Sequence, residues 1–85
     1  MYKVIVPPKV IKEISNLDKR YQKAISTKID SLSTNPLAGK KLDPPFAHLH
    51  SLRVGVYRIV YQVNKQNQTI YVSTAGHRGH VYQRR

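Results

Sequence analysis

The chain has no cysteine, no tryptophan, a single phenylalanine and four carboxylates in 85 residues. Each shortage excludes something. Without cysteine there is no disulfide to staple a small domain and no thiolate to act as nucleophile or metal ligand, so stability rests on packing, and the usage fits the cytoplasm. Four acids, Glu13, Asp18, Asp30 and Asp43, are too few for a two-metal nuclease centre. There is no Gly-rich phosphate loop, no His-Glu-x-x-His run and no Ser-His-Asp set with carboxylates to spare, so neither metal nor cofactor is expected. No basic segment followed by a long apolar run opens the sequence, and no apolar stretch approaches bilayer length. Neither a signal peptide nor a membrane span is therefore expected, and the protein should be cytoplasmic with no membrane partner.

What the chain has in excess is positive charge. Fifteen Lys and Arg residues stand against the four acids, for a formal charge of +11 and a pI near 10.3. Such a chain repels itself and attracts polyanions, of which nucleic acid is the commonest in the cytoplasm. A chain of this length is expected to form one domain, residues 1–85, burying only a little over ~60% of the surface exposed when unfolded. Lysines on helices in such a domain read as solvated surface, so the arginines carry the information about partners.

The hydrophobic pattern divides the chain into elements. "MYKVIVPP" alternates as a short strand ended by the proline pair, and Pro8 can open a helix. Val10, Ile11, Ile14 and Leu17 then fall at helical spacing. Asp18 can cap a second helix whose apolar face holds Tyr21, Ala24, Ile25, Ile29 and Leu32. "TNPLAG" is breaker chemistry and stops the helical hairpin near Ser33, and "KKLDPPFAHLH" reads as a loop. "SLRV", "VYRIVYQV" and "TIYVSTA" are strand-like, separated by "GV" and "NKQNQ", gaps suited to hairpins. The predicted fold class is α+β: an N-terminal strand, a two-helix hairpin, then a three-stranded antiparallel meander, with the helices on one face of the sheet.

A two-residue turn at Gly55 and Val56 sets a register in which Val54 opposes Tyr57, Arg53 opposes Arg58, Leu52 opposes Ile59 and Ser51 opposes Val60. One face then carries Val54, Tyr57, Leu52, Ile59 and Tyr61 as a lid for the helices. The other carries Arg53 directly across from Arg58, and like charges so placed destabilise a sheet. Two long side chains splaying into water would account for the pair as ordinary surface. No carboxylate is placed near either in this register, however, and phosphate is the natural bidentate partner of guanidinium. Tyr61 and Tyr71 read as packing residues whose hydroxyls reach the surface.

"NPLAGKKL", "LRVGVYRIVYQV" and "GHRGHVY" together resemble the RelE/ParE toxin superfamily of toxin–antitoxin systems, and more closely its RelE-like branch, over nearly the whole chain. Arg53, Gly55, Tyr57 and Arg58 fit an Arg-x-Gly-x-Tyr-Arg hairpin of the superfamily. Arg78, Val81 and Tyr82 fit its terminal Arg followed shortly by Val-Tyr. The resemblance implies a RelE-like fold, a cognate antitoxin protein as partner, and one of two activities. RelE-like members are endoribonucleases that cut mRNA in the ribosomal A site, with mRNA and rRNA as partners, whereas ParE-like members inhibit DNA gyrase without cleaving anything. A basic RNA-binding module that has lost catalysis is a third possibility.

Metal-independent RNA cleavage, in which a 2'-hydroxyl attacks its neighbouring phosphate, needs a base, an acid and cations for the developing charge. On the resemblance, Arg58 and Arg78 are the candidate cations with Arg53 beside them, and Tyr82 offers an aromatic plane for an unpaired base. For acid and base, some RelE-like toxins use paired lysines just before the arginine hairpin, where this chain has His48 and His50. Strand parity puts both histidines on the face opposite Arg53. His77 and His80 flank Arg78, and imidazole titrates near neutrality. Lys40 and Lys41, as flexible ammonium groups of a loop, are expected to add attraction for the RNA backbone. His48 falls in the same group, as do Arg84 and Arg85, which read equally as a frayed tail.

Overall fold

In a computed structural model of the chain, residues 1–77 are described. Strand β1 (Lys3–Ile5) leads into helix α1 (Pro8–Ser15) and helix α2 (Lys19–Ser31), followed by β2 (Lys40–Lys41), β3 (His50–Val54), β4 (Tyr57–Asn64) and β5 (Thr69–His77). The helix starts are those the sequence predicts. Pro8 opens α1, where a missing N–H costs nothing. The Asp18 carboxylate accepts from the Arg20 amide at 3.0 Å and caps α2. Gln22 of α2 donates its side-chain amide back to the carbonyls of Leu17 in the linker at 2.7 Å and of Ser15 at 3.2 Å, the latter an acceptor that the end of α1 leaves open. Among the described residues no helix is long and apolar enough to cross a membrane.

The strands form one mixed sheet in the order β1-β5-β4-β3-β2. β1 pairs parallel with β5, and the other pairings are antiparallel. The hairpin register predicted from the two-residue turn is the one observed, including Arg53 across from Arg58. Gly55 has φ +61°, as the first central position of such a turn requires. The loop predicted for residues 40–50 is shorter than expected. Lys40 and Lys41 form an edge strand against Ser51 and His50, and the Leu42 amide donates to the Leu49 carbonyl at 3.1 Å, closing loop 42–49. A two-residue strand made only of lysines carries no hydrophobic alternation, so no periodicity announces it.

The core lies between the helices and one face of the sheet. Val10, Ile25, Leu32, Ile59, Tyr61 and Ile70 are fully buried there, with Val54, Val72 and Ala75 nearly so. Two apolar residues depart from their expected places. Ile11, in the predicted helical stripe, is 56% exposed. Tyr61 lies wholly inside the core and its hydroxyl does not reach solvent: it accepts from the Gly39 amide at 2.8 Å and donates to the Pro36 carbonyl at 3.0 Å. Burial raises its pKa, partly offset by the Gly39 bond, so the phenol keeps its proton and can donate. Gly39 is there because nothing larger fits, since a Cβ would stand 2.7 Å from the Tyr61 hydroxyl and 2.9 Å from the Ser51 carbonyl oxygen. Tyr61 thus grips the segment that delivers β2 to the sheet edge.

Replacing Gly55 with Ala puts a side chain at positive φ, 3.1 Å from Tyr21 Cε1. The expected cost is about 1–2 kcal/mol, read as a fall in melting temperature of about 4–16 °C for a domain of this size; an unchanged melting curve contradicts the turn assignment. Tyr61→Phe strands the Gly39 amide and the Pro36 carbonyl, with an expected loss of about 1–3 kcal/mol. Hydrogen exchange should also quicken through residues 36–41, and protection there equal to wild type contradicts the grip.

Candidate functional site

The arginine pair follows from the hairpin alone. Val54, Leu52 and Ile59 point to the helices, so the alternate residues Ser51, Arg53 and Arg58 point the other way. That face is less bare than the pattern predicts. Ser51 and Val60 are 4% and 3% exposed, and Val60, by its register opposite Ser51, belongs to this side and not to the helix-side core. Arg58 is half-buried and donates from Nη1 to the Ser51 hydroxyl at 2.8 Å, whereas Arg53 is exposed. One guanidinium is therefore oriented by the sheet beneath it and the other reaches into solvent.

Beside the pair, the face deepens into an open groove of about 760 Å³. Arg53, Arg58, Lys40 and Lys41 line it, along with Asp43, Phe46 and Leu42 from the loop wall. Four cations around one hollow give a positive potential that a single carboxylate does not cancel. Lys40 and Lys41 are held by strand pairing rather than carried on a free loop, and their positions are accordingly better defined than the sequence implies. Asp43 supplies the carboxylate that the hairpin register does not predict.

Sequence reasoning missed Ser51, Phe46 and Asp43. Ser51 was legible: it lies diagonally across from Arg58 on one face, two positions from the direct partner. Phe46 and Asp43 were not, because the path of loop 42–49 depends on turn bonds such as Phe46 N–H to the Asp43 carbonyl at 2.8 Å.

The histidines are dispersed. His50 pairs with Tyr61 on the helix-side face and stacks on its ring, with centroids 5.4 Å apart. It stands on the opposite face from Arg53 and Arg58, as strand parity predicts. Burial first, then the Lys41 and Lys65 charges, lowers its pKa, so the ring is neutral at physiological pH. Its Nδ1 is buried with no hydrogen-bond partner among the described residues. His48 is exposed in loop 42–49. The backbone of His77 pairs with Tyr57 at the end of β5, next to the Arg58–Gly76 pair. Arg78, His80, Tyr82, Arg84 and Arg85 lie outside the described residues.

Residues 4–82 match the family described as the ParE toxin of the type II toxin–antitoxin system parDE. No curated protein matches the chain significantly. Among solved structures, the toxin–antitoxin complex RelBE2 from Mycobacterium tuberculosis contains a chain 28% identical, superposing with a TM-score of 0.82 over 91% of this chain and 98% of that one. The archaeal RelE–RelB complex from Pyrococcus horikoshii gives 25% identity and a TM-score of 0.79, covering 94% and 98%. The intact RelBE complex of E. coli, at 18% identity and a TM-score of 0.76 over 91% and 96%, shares the fold. A basic groove beside a cross-strand arginine pair, on a sheet backed by a helical hairpin, is thus set in a recognised frame, and the chain belongs to the ParE toxin family of type II toxin–antitoxin systems, within the RelE/ParE superfamily.

Proposed function

We propose that this toxin is an endoribonuclease that cleaves mRNA on the ribosome without a metal. The observation that carries the reading is Arg58, half-buried and oriented by Ser51, directly across from Arg53 in a groove that also holds Lys40 and Lys41. Like charges brought together at a structural cost imply an anionic ligand, and RNA phosphate suits guanidinium geometry. In the reaction a base takes the proton of the 2'-hydroxyl, and its oxygen attacks the adjacent phosphorus. The bond to the 5'-oxygen breaks, and an acid protonates that leaving oxygen. Arg58 stabilises the charge on the pentavalent phosphate, joined by Arg78, which follows the end of β5 directly in sequence. Tyr82 stacks on a base. His77 and His80, which flank Arg78 in sequence, are the acid–base candidates of that segment, whereas His50 stands on the face opposite Arg58.

Lys40, Lys41 and Arg53 hold the backbone either side of the scissile phosphate, and His48, Arg84 and Arg85 add attraction for RNA. A toxin of this kind requires a cognate antitoxin. The two more similar structures above are complexes with one, and a +11 surface calls for an acidic partner segment. A second reading, inhibition of DNA gyrase without catalysis, is favoured by the family description itself, which names parDE.

If Arg58 stabilises the transition state, Arg58→Ala should lose roughly 100-fold or more in cleavage rate in a purified translation system. Growth arrest should disappear while circular dichroism stays native; full toxicity in that variant defeats the assignment. Tyr82→Phe should retain most activity and Tyr82→Ala should lose it, since the ring supplies the ~1–3 kcal/mol of stacking. Equal inactivity of the two variants would make the phenol itself the chemical group.

A further inference from the structure

One carboxylate of the four is spent far from the groove. Glu13, on α1, accepts through a single oxygen from the Thr74 hydroxyl at 3.0 Å and from the Ala75 amide at 3.1 Å, contacts that span more than sixty residues of chain. Asp18, in contrast, caps its own helix, and Asp30 and Asp43 are exposed.

The place where Glu13 reaches the sheet is a weak point in the ladder. β1 pairs with β5 only from Thr69 to Tyr71, so among the described residues no strand flanks Val72 to His77 on that side. There too the β4–β5 register slips: Tyr61 pairs with Val72 but Val60 with Thr74, leaving Ser73 extra on β5. A bulge interrupts the ladder and lets a strand change direction. Just beyond it come Gly76, paired with Arg58, and His77, paired with Tyr57. Gly76 has no side chain to anchor, and a Cβ built there would meet none of the described residues within 4 Å. Besides its core anchors Val72 and Ala75, the direction of β5 as it passes Arg58 is set by its backbone ladder to β4 on one edge and by Glu13 on the other.

We infer that Glu13 is a positioning residue: by holding Thr74 and Ala75 it fixes the run of β5 that passes Arg58 and ends at His77, one residue before Arg78 in sequence. The inference rests on the ribonuclease reading for its consequence, though not for its geometry. A displacement of about 1 Å between catalytic groups can cost on the order of 100-fold in rate.

The test compares wild type, Glu13→Ala, Glu13→Gln and Thr74→Val for single-turnover mRNA cleavage, RNA affinity and amide exchange at residues 75–77. Glu13→Ala should slow cleavage about tenfold or more, consistent with loss of alignment, while RNA affinity, set by the groove, stays near wild type. Exchange at Ala75, Gly76 and His77 should quicken. Glu13→Gln keeps an acceptor oxygen and should restore most of the rate and the protection. Wild-type cleavage by Glu13→Ala overturns the inference, as does a loss that vanishes once the folded fraction is normalised, or a Gln variant as slow as Ala. Should Glu13→Ala fail to fold, Thr74→Val decides: a rate lowered about threefold with faster exchange is expected, and no change in either overturns the proposal. If the wild-type protein cuts no RNA, the ribonuclease reading fails. The exchange data then judge Glu13 separately, and unchanged protection in Glu13→Ala rejects it.

Discussion

The pairing of Arg53 with Arg58 across β3 and β4 is the constraint around which the molecule is organised. Two guanidinium groups on one face of a sheet repel each other, and a hairpin alone would relieve the strain by slipping one residue. That slip would turn one strand over relative to the other, carrying Ile59 out of the core and Arg58 into it if β4 moved, because side chains alternate with a period of two. The apolar contacts beneath thus hold the register, and Gly55 at positive φ closes the turn that begins it. Stability on the helix side is in this sense what maintains an unfavourable charge arrangement on the other.

Neighbouring features extend that arrangement. Tyr61 sends its hydroxyl to Gly39 and Pro36, and the segment it grips delivers Lys40 and Lys41 to the edge of the same sheet. Ser51, between those lysines and Arg58, bonds the guanidinium from the adjacent strand. On the far side of β4, Glu13 fastens β5 where it leaves β1 behind. Cations on three strands are thereby brought around one groove, Lys40 and Lys41 by strand pairing and Arg58 by its bond to Ser51, with Arg53 exposed beside them. Preorganised charge of this kind is worth more to a reaction than the same charge on mobile loops.

Much of this was legible in the sequence. Pro8 and Asp18 marked the helix starts, and the turn at Gly55 and Val56 led by counting to the observed register and to the arginine pair. The family motif sits on those same residues. What escaped were features without a local signal. Lys40 and Lys41 show no alternation, because the edge strand is held by Tyr61 and by the Leu42–Leu49 bond rather than by its own apolar face. Glu13 to Ala75 is a contact between elements far apart in sequence, which no periodicity encodes. Tyr61 looked like any strand tyrosine, and only the close approach of Gly39 reveals where its hydroxyl goes. The acid–base pair stayed open for a different reason: two of the four histidines flank Arg78 in sequence, and parity alone could only set His50 and His48 apart from the arginines.

The central claim, that this basic groove cuts mRNA, is tested most directly by mapping 5' ends on cellular transcripts by primer extension after a brief pulse of expression, beside a gyrase supercoiling assay with the purified protein. The account predicts new ends within translated coding sequence, absent in Arg58→Ala, and supercoiling unaffected by the protein. Intact transcripts together with inhibited supercoiling would contradict it and establish the toxin as a gyrase inhibitor.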